Sequence, residues 1–354
     1  MKRILFVFLV LTGPFLSAQT RWYEGFELGL EGKILPTENP YHRADTSRYD
    51  FVGQERNLVM CSAGLWLHFI TDSKSIRLKP EYGYTYNGLT TNVLSHKGFD
   101  LYIKKDGKWL WASAAVPSAR KPEVTLISAM DGSEHECLLY LPMYSELRSL
   151  QVGLDEGAKV VPGKPGAGMR LGLNGSSYTM GVSTSRSGMS YPMQLSRATG
   201  LQVLSLSASG NCKLQQAFAK ALADADVDAL LLDTFSNPSV DEIKERLFPY
   251  IETIQEAHPD IPLIFQRTIY REYRNFNTAK DASERRRIAV ADSLMKIACK
   301  KYKNVYYIYP NATSANHETS VDGVHPGDYG YYLWEQSIEK QVMRILRKYR
   351  KFRQ

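Results

Sequence analysis

The spacing of apolar residues changes near residue 165, and this change limits the chain to a two-part architecture. Between residues 20 and 160, short apolar or alternating runs such as Leu65-Trp66-Leu67-His68-Phe69-Ile70 are separated by turn signals such as Lys105-Asp106-Gly107. Alternation with a period of two buries one face of each strand and is typical of a sandwich of two sheets. We therefore predict an N-terminal all-β domain at residues 20–160, a jelly-roll-like sandwich.

A Gly/Pro-rich stretch at residues 161–168 precedes a different pattern, in which apolar strands alternate with helices. The candidate strands are residues 169–173, 202–206, 229–232, 263–266 and 305–308, and the candidate helices are residues 214–222, 240–258, 289–301 and 329–349. This alternation predicts an α/β domain at residues 168–350, with a parallel sheet covered by helices on both faces. In such sheets ligands bind at the carboxyl ends of the strands.

The first 18 residues have the pattern of an export signal. Lys2 and Arg3 are followed by an apolar run at residues 4–16 and by the small-residue cleavage signal Leu16-Ser17-Ala18. The run is too short for a membrane span, and Gln19 rather than a cysteine follows the cleavage point. We expect a secreted protein, periplasmic if the cell has an outer membrane, with no integral membrane segment or lipid anchor after cleavage.

Charge and cysteine content identify no further partner. The chain carries 44 Lys and Arg against 37 Asp and Glu, a net charge of +7. Its basic tail is interpreted as the solvated end of a last helix, and a nucleic-acid or membrane patch is the alternative. No nucleic-acid-binding motif is present, so no nucleic-acid partner is expected. The four cysteines have no metal-ligand spacing, so no metal is expected. Pairing of Cys61 with Cys137 is left open.

A serine follows the first strand of the α/β pattern. Ser177, in Gly175-Ser176-Ser177-Tyr178-Thr179, stands between this strand and the next helical segment. In that position a serine presents its hydroxyl above the sheet, with its own N–H free at the start of the helix. The spacing is not the GxSxG of α/β-hydrolases, and a serine pair before a helix is also an ordinary N-cap.

Two residues after later strands are candidate donors to a developing oxyanion. Gly210 follows the second strand, where a glycine N–H can approach a ligand closely, and Asn237 follows the third strand with a side-chain amide. Each also fits an ordinary turn, Gly210 as a turn glycine and Asn237 because it precedes Pro238.

The segment Asp322-Gly323-Val324-His325-Pro326 precedes the last helix. An Asp three residues before a His, in a turn bounded by Gly and Pro, can place a carboxylate beside an imidazole. His325 would take the proton of Ser177 and return it to the leaving group, while Asp322 would fix the imidazole tautomer. A polar turn that caps the last helix is the alternative. The common position of all these groups after strands favours catalysis.

These residues together resemble the SGNH (GDSL-like) hydrolase family, whose four blocks supply Ser, Gly, Asn and His. Ser177 in GSSYTMG, Gly210 in SASGN, Asn237 in DTFSN and His325 in DGVHP match the blocks in order, and Gly98-Phe99-Asp100-Leu101-Tyr102 resembles the GxDLY signature of a two-domain bacterial subgroup. Two departures exist: Ser176 replaces the Asp of GDS, and the third block keeps only the Asn of GxND. The resemblance implies a flavodoxin-like sheet and cofactor-free ester hydrolysis through an acyl-enzyme, with Ser177, Asp322 and His325 as catalytic residues and Gly210 and Asn237 as oxyanion donors.

The expected substrate is a small-molecule or glycan ester, with removal of an acetyl group from a glycan preferred. Predicted export and an aromatic-rich sequence, with 22 Tyr and 5 Trp, favour this choice, although aromatic residues also build ordinary cores. A lipase or lysophospholipase, a catalytically weak or inactive glycan-binding protein on the same scaffold, and a transacylase are the alternatives. The sequence leaves the oligomeric state open.

Overall fold

The computed structural model describes residues 19–86, 88, 90–118, 120–166 and 168–349. The predicted export signal, residues 1–18, and the end of the basic tail lie outside these ranges. Within them, no helix combines the length and the apolar character needed to span a membrane. All four cysteines are unpaired, so Cys61 and Cys137 do not form a disulfide.

The N-terminal part folds into two antiparallel sheets. One sheet has the order β1-β9-β4-β7, and the other has the order β10-β3-β8-β5-β6 with β2 paired to β3. The strands are β1 (Thr20–Glu24), β2 (Leu30–Glu31), β3 (Trp66–Thr71), β4 (Ile76–Thr85), β5 (Phe99–Lys105), β6 (Lys108–Ala115), β7 (Val124–Ile127), β8 (His135–Tyr140), β9 (Ser145–Asp155) and β10 (Val160–Pro162).

Apolar alternation accounts for the packing of these two sheets against each other. In β4, the side chains of Ile76 and Leu78 are buried, whereas that of Lys79 is exposed. Ile76 and Leu78 share one hydrophobic core with Leu67 and Leu139 of the other sheet. Residues spaced two apart on each strand therefore form the inner faces of a sandwich, as the sequence predicts.

The C-terminal part contains a five-stranded parallel sheet. Its strands are β11 (Arg170–Gly175), β12 (Gln202–Ser207), β13 (Ala229–Asp233), β14 (Leu263–Gln266) and β15 (Val305–Ile308), in the order β12-β11-β13-β14-β15. This is the flavodoxin-like order, in which the chain reverses direction across the sheet beside the first strand. The carboxyl ends of β12, β11 and β13 consequently lie side by side, and their following loops meet at one edge.

Helices cover both faces of this sheet. The helices in the described ranges are α1 (Gln54–Met60), α2 (Val93–Lys97), α3 (Ser177–Met180), α4 (Tyr191–Thr199), α5 (Gln216–Ala223), α6 (Val240–Ala257), α7 (Thr278–Lys301) and α8 (Asp328–Leu346). On one face α5, α6 and α7 share a core with alternate strand residues such as Leu230 and Leu232, and on the other α4 and α8 pack with the intervening Leu231. The predicted fold class is confirmed.

Helix α7 begins at Thr278 rather than at the predicted residue 289. Asn277 caps its start by accepting a hydrogen bond from the Lys280 N–H at 3.0 Å. Its first three turns are dominated by charged residues, so the apolar spacing that identifies a helix is absent there. Helix α4 and the short helices α1 and α2 were not predicted from the sequence.

The GxDLY signature lies where the sandwich contacts the α/β part. Asp100 is 1% exposed and accepts hydrogen bonds from Arg186 Nη1 at 2.9 Å, from the Gly188 N–H at 2.8 Å and from Trp111 Nε1 at 3.1 Å. A Cβ on Gly188 would lie 2.7 Å from Asp100 Oδ2, so only glycine permits this approach. Asp100 thus anchors the segment that follows the Ser177 turn.

Candidate active site

Ser177 is the first residue of α3, two residues after the end of β11. Ser176 caps this helix by accepting a hydrogen bond from the Tyr178 N–H at 3.2 Å. This sharp passage from strand to helix leaves Ser177 at the carboxyl edge of the sheet, 6% exposed, with its Oγ 2.9 Å from His325 Nε2. The structure therefore brings the candidate nucleophile and the candidate base together.

Asp322 and His325 occupy one short loop before α8. His325 Nδ1 lies 2.7 Å from Asp322 Oδ2, and Asp322 Oδ1 accepts the backbone N–H groups of Val324 at 2.9 Å and His325 at 2.7 Å. Burial alone would raise the pKa of Asp322, but these hydrogen bonds outweigh it and lower the pKa below its usual value. An ionised Asp322 places the imidazole proton on Nδ1, which leaves Nε2 free to accept the Ser177 proton.

A buried carboxylate that the sequence analysis did not select lies beneath Ser177. Asp233, the last residue of β13, accepts hydrogen bonds from Ser176 Oγ at 2.6 Å, Ser236 Oγ at 2.6 Å and Thr179 Oγ1 at 3.2 Å. Burial raises the pKa of Asp233, against the opposing effect of these hydroxyl groups. The sequence signal that could have identified Asp233 is an acidic residue at the end of an otherwise apolar strand. Asp233 ties the Ser177 turn to the loop that carries Asn237.

The candidate oxyanion donors lie on the loops after the two strands that flank β11. Gly210 has a φ of 72°, and its loop is tied to the Ser177 turn by a hydrogen bond of 2.9 Å from the Ala208 N–H to the Gly175 carbonyl. Within the described ranges, no acceptor binds the N–H groups of Ser177 and Gly210 or the side-chain amide of Asn237. All three donors are available to a ligand.

A second network that the sequence analysis missed supports the histidine loop. Tyr178 Oη donates to the Val324 carbonyl at 3.1 Å and accepts from Arg271 Nε at 2.7 Å. Arg271 also pairs with Glu284 at 3.1 Å and donates to the Ser236 carbonyl. Arg271 is 8% exposed, so its charge is held by these partners rather than by water. One guanidinium thereby joins the loops of Ser177, Asn237 and His325.

No cluster of three or more His, Cys, Asp or Glu side chains suited to a metal ion occurs in the described part of the chain. The side chains that meet at Ser177 have the chemistry of an activated hydroxyl. A serine beside an imidazole held by a carboxylate can act as a nucleophile, and free N–H groups at a strand-to-helix turn can stabilise negative charge on oxygen.

Comparison with known proteins agrees with this arrangement. A model of the GDSL-like lipase/acylhydrolase family matches residues 170–344, and a model described as the N-terminus of Esterase_SGNH_hydro-type, named GxDLY, matches residues 20–160. The structure of a GDSL-like lipase from Bacteroides ovatus ATCC 8483 is 36% identical in sequence, covers 93% of this chain and 98% of its own, and superposes with a TM-score of 0.88. The chain belongs to the GDSL-like (SGNH) hydrolase family. It is an ester hydrolase.

More distant structures share the fold of this SGNH hydrolase. The salicylyl-acyltransferase SsfX3 from a tetracycline biosynthetic pathway is 20% identical over 92% of this chain and 98% of its own, with a TM-score of 0.69. A family two carbohydrate esterase from Cellvibrio japonicus is 11% identical over 93% of this chain and 99% of its own, with a TM-score of 0.64. At these identities the likeness concerns the fold alone. No curated protein matches the chain in sequence.

Proposed function

We propose that this SGNH hydrolase cleaves carboxylic esters through an acyl-enzyme formed on Ser177. The observation that carries the proposal is the hydrogen-bonded chain from Ser177 Oγ to His325 Nε2, at 2.9 Å, and from His325 Nδ1 to Asp322 Oδ2, at 2.7 Å. Each partner supplies what the next requires, a base for the hydroxyl and an anion for the imidazolium.

In the first half of the reaction Ser177 Oγ attacks the ester carbonyl as its proton passes to His325 Nε2. In this proposal the N–H groups of Ser177 and Gly210 and the amide of Asn237 receive the oxyanion, and each such donor is typically worth roughly 3–4 kcal/mol of transition-state stabilisation. Collapse of the tetrahedral intermediate breaks the ester C–O bond, and His325 returns the proton to the leaving alcohol.

In the second half a water molecule attacks the acyl-enzyme. His325 accepts the water proton, and the second tetrahedral intermediate releases the carboxylic acid while Ser177 regains its proton. Throughout, Asp322 stays ionised because its hydrogen bonds lower its pKa, so it stabilises the imidazolium in both halves.

We further propose that the natural substrate is an acetylated glycan met outside the cytoplasm. The predicted export signal supports this location, and the occurrence of the same fold in a carbohydrate esterase from Cellvibrio japonicus supports a carbohydrate substrate. Interception of the acyl-enzyme by an alcohol instead of water would make the chain a transacylase, the activity that names SsfX3.

The test compares the mature protein with Ser177→Ala and His325→Ala on 4-nitrophenyl acetate. We expect either substitution to reduce kcat/KM by about 10³-fold or more, because a nucleophile and its base act as a unit, while the melting temperature stays close to that of the parent. Undiminished turnover in the Ser177→Ala protein would refute the mechanism.

Substrate class is tested separately by acetate release from acetylated oligosaccharides, compared with hydrolysis of long-chain acyl esters. A clear preference for long acyl chains would indicate that the natural substrate is a lipid ester rather than a glycan ester. Acyl transfer to an added sugar alcohol in preference to water would identify a transacylase.

A further inference from the structure

A groove with an excess of positive charge opens beside Asn237. Its volume is about 890 Å³, and it runs between the start of α6 and the exposed face of α7. We call it the cation groove; the charged side chains that line it are Lys213, Lys244, Arg286, Arg287, Asp241 and Glu242.

The two acids of the cation groove are already engaged. Asp241 lies 3.8 Å from Lys244 Nζ on the same helix, and Glu242 pairs with Arg246 at 3.1 Å. Glu242 also accepts the Ser239 N–H at 2.8 Å in the capping box of α6, so the helix terminus is closed by the protein's own carboxylate. The helix terminus is therefore not what attracts a ligand here.

Two cations of the groove form no salt bridge. Within the residues that the structure describes, neither Lys213 nor Arg286 lies within salt-bridge distance of an acid, and the four lining cations exceed the two lining acids by two charges. Lys213 still acts electrostatically on Glu242, which Arg246 already pairs. An excess of cations on one concave surface raises the local potential and favours binding of an anion.

The end of the groove nearest the active site is also short of negative charge. Arg287 shares Glu284 with Arg271, so two guanidinium groups face one carboxylate, and Arg287 Nη1 donates to the Ser236 carbonyl at 3.1 Å. Arg287 Nε and Asn237 Oδ1 are buried and have no hydrogen-bond partner in the described part of the chain. Arg287 Nε is thus an unsatisfied donor at this end of the groove, whereas Asn237 Oδ1 is an acceptor and offers no hydrogen bond to an anion.

We propose that the cation groove binds an anionic group, a carboxylate or a sulfate, carried by the alcohol portion of the ester substrate. Asn237 belongs both to the lining of the groove and to the candidate oxyanion site, so we place the alcohol portion of an ester held at Ser177 toward the groove. The inference rests on the proposed function and narrows it to acidic glycan esters. Lys213 and Arg286 attract the anion.

The experiment uses matched aryl acetates that differ only in charge. The pair 4-acetoxybenzoate and 4-acetoxybenzamide is compared with the wild-type protein, the double variant Lys213→Gln/Arg286→Gln and the control Arg285→Gln. Arg285 is an exposed neighbour on α7 that pairs with Asp281 and does not line the groove. We expect the wild type to prefer the benzoate, the double variant to lose this preference by about tenfold in kcat/KM, and the control to retain it.

The neutral benzamide ester separates failure of this inference from failure of the proposed function. Its hydrolysis by the wild type and not by Ser177→Ala, without any preference for the benzoate, would leave the esterase intact and overturn the anion site. If neither aryl ester is hydrolysed, the inference is tested by binding instead. Calorimetry measures ligand affinity for the Ser177→Ala protein and for the same protein carrying Lys213→Gln and Arg286→Gln as well.

Two calorimetric ligands distinguish the sources of the anion. An acetylated uronic acid oligosaccharide carries the carboxylate, an acetylated, sulfated galactose oligosaccharide carries the sulfate, and an acetylated neutral xylose oligosaccharide is the reference. The site is supported if either anionic ligand binds more tightly than the neutral one and if the double substitution weakens that binding about tenfold. The ligand that binds more tightly shows whether the anion is a carboxylate or a sulfate. Equal binding of all three ligands would overturn it.

Discussion

At the scale of single residues, Ser176 is the clearest departure from the family pattern. It stands where the GDS motif carries an aspartate, and its hydroxyl lies 2.6 Å from the buried carboxylate of Asp233. The carboxylate beneath the Ser177 turn is thus supplied by β13 rather than by the residue before the nucleophile. The hydroxyl of Ser176 is the complementary choice, because it donates to Asp233 and still caps α3.

Ser176→Asp would restore the family motif, and we expect it to destabilise this protein. Two carboxylates would then meet in a site without solvent, at a cost of about 3 kcal/mol in the free energy of unfolding. Urea denaturation at pH 7.5 measures this loss, with Ser176→Asn as the uncharged control of similar size. The loss should shrink below about pH 5, where one of the carboxyl groups is protonated. A penalty equal to that of Ser176→Asn at every pH would contradict the explanation.

His68 is a second residue whose charge is fixed by its surroundings, here in the sandwich. Its Nδ1 lies 2.9 Å from Glu31 and its Nε2 lies 3.0 Å from Glu136. Burial alone would lower the pKa of His68, but the two carboxylates outweigh it and raise the pKa above its usual value. A raised pKa in the folded state means that the protonated imidazole contributes stability below the pKa of the unfolded chain, about 6.5. This contribution is lost as pH rises through the folded pKa.

We therefore expect His68→Gln to lower the free energy of unfolding by about 1 kcal/mol or more at pH 5.5. The difference from the parent should narrow at pH values above the folded pKa of His68, where the parent imidazole is neutral. Chemical denaturation of both proteins across this pH range is the measurement. A difference that widens toward high pH would reverse the assigned sign.

At the scale of elements, the connection between β14 and α7 acts as a support for the histidine loop. Arg271 in this connection donates a hydrogen bond from Nε to Tyr178 Oη in α3. Its Nη1 donates to the carboxylate of Glu284 on the second turn of α7. The Tyr273 N–H, in the same connection, donates to the Gly323 carbonyl at 2.9 Å. Gly323 has a φ of 84°, which favours glycine at this turn between Asp322 and His325.

Arg271→Gln should slow catalysis without removing any group that meets the ester. Loss of its bonds to Tyr178 and Glu284 loosens the histidine loop, and we expect kcat for 4-nitrophenyl acetate to fall about tenfold with a smaller change in KM. Arg267→Gln is the matched control. Arg267 lies in the same connection, directly after β14, and pairs with Asp292 at 3.1 Å. Equal activity of the two variants would show that Arg271 has no part in positioning His325.

Strand and helix types follow from local patterns, but the lengths of elements depend on their neighbours. Strands β14 and β15 are short, mostly apolar runs, and both have the predicted bounds. Trp111 on β6, in contrast, has a side chain that is 54% exposed. Its indole N–H donates to Asp100 on the neighbouring strand β5, and its ring contacts Arg186 of the α/β part.

At the scale of the whole molecule, the two halves are joined through buried charged residues. Asp100 of the sandwich binds Arg186 and Gly188 of the α/β part, and Arg43, which is fully buried, reaches Ser207 at the end of β12 at 3.1 Å. Burial raises the pKa of Asp100, against the effect of Arg186 and the Gly188 N–H. The division of the chain at residues 160–168 stays a prediction, but these contacts link the stability of both halves.

Asp100→Asn should weaken the whole molecule. Removing the negative charge leaves Arg186 without its buried partner, and we expect a loss of about 3 kcal/mol in the free energy of unfolding. Glu123→Gln, which breaks the more exposed pair with Arg77, is the control and should cost less than about 1 kcal/mol. Differential scanning calorimetry of the variant should show the transition moving to lower temperature. A transition unchanged from that of Glu123→Gln would contradict the structural role of Asp100.

The sequence by itself determined the two-part fold, the alternation of strand and helix in the C-terminal part and the pairing of Asp322 with His325. These features are local: apolar period distinguishes strand from helix, and an Asp three residues before a His can meet it within one loop. Ser177 was a candidate from its position after a strand, but it lies 148 residues from His325, and only the folded sheet brings the two side chains together. Only the tertiary structure decided that Asp233 supports Ser176, that Arg271 joins three loops and that Lys213 and Arg286 converge beside Asn237. Ser176 and Asp233 are 57 residues apart, and Tyr178 and Arg271 are 93 apart. No spacing along the chain encodes such contacts, because they exist only once the parallel strands align their carboxyl ends at one edge.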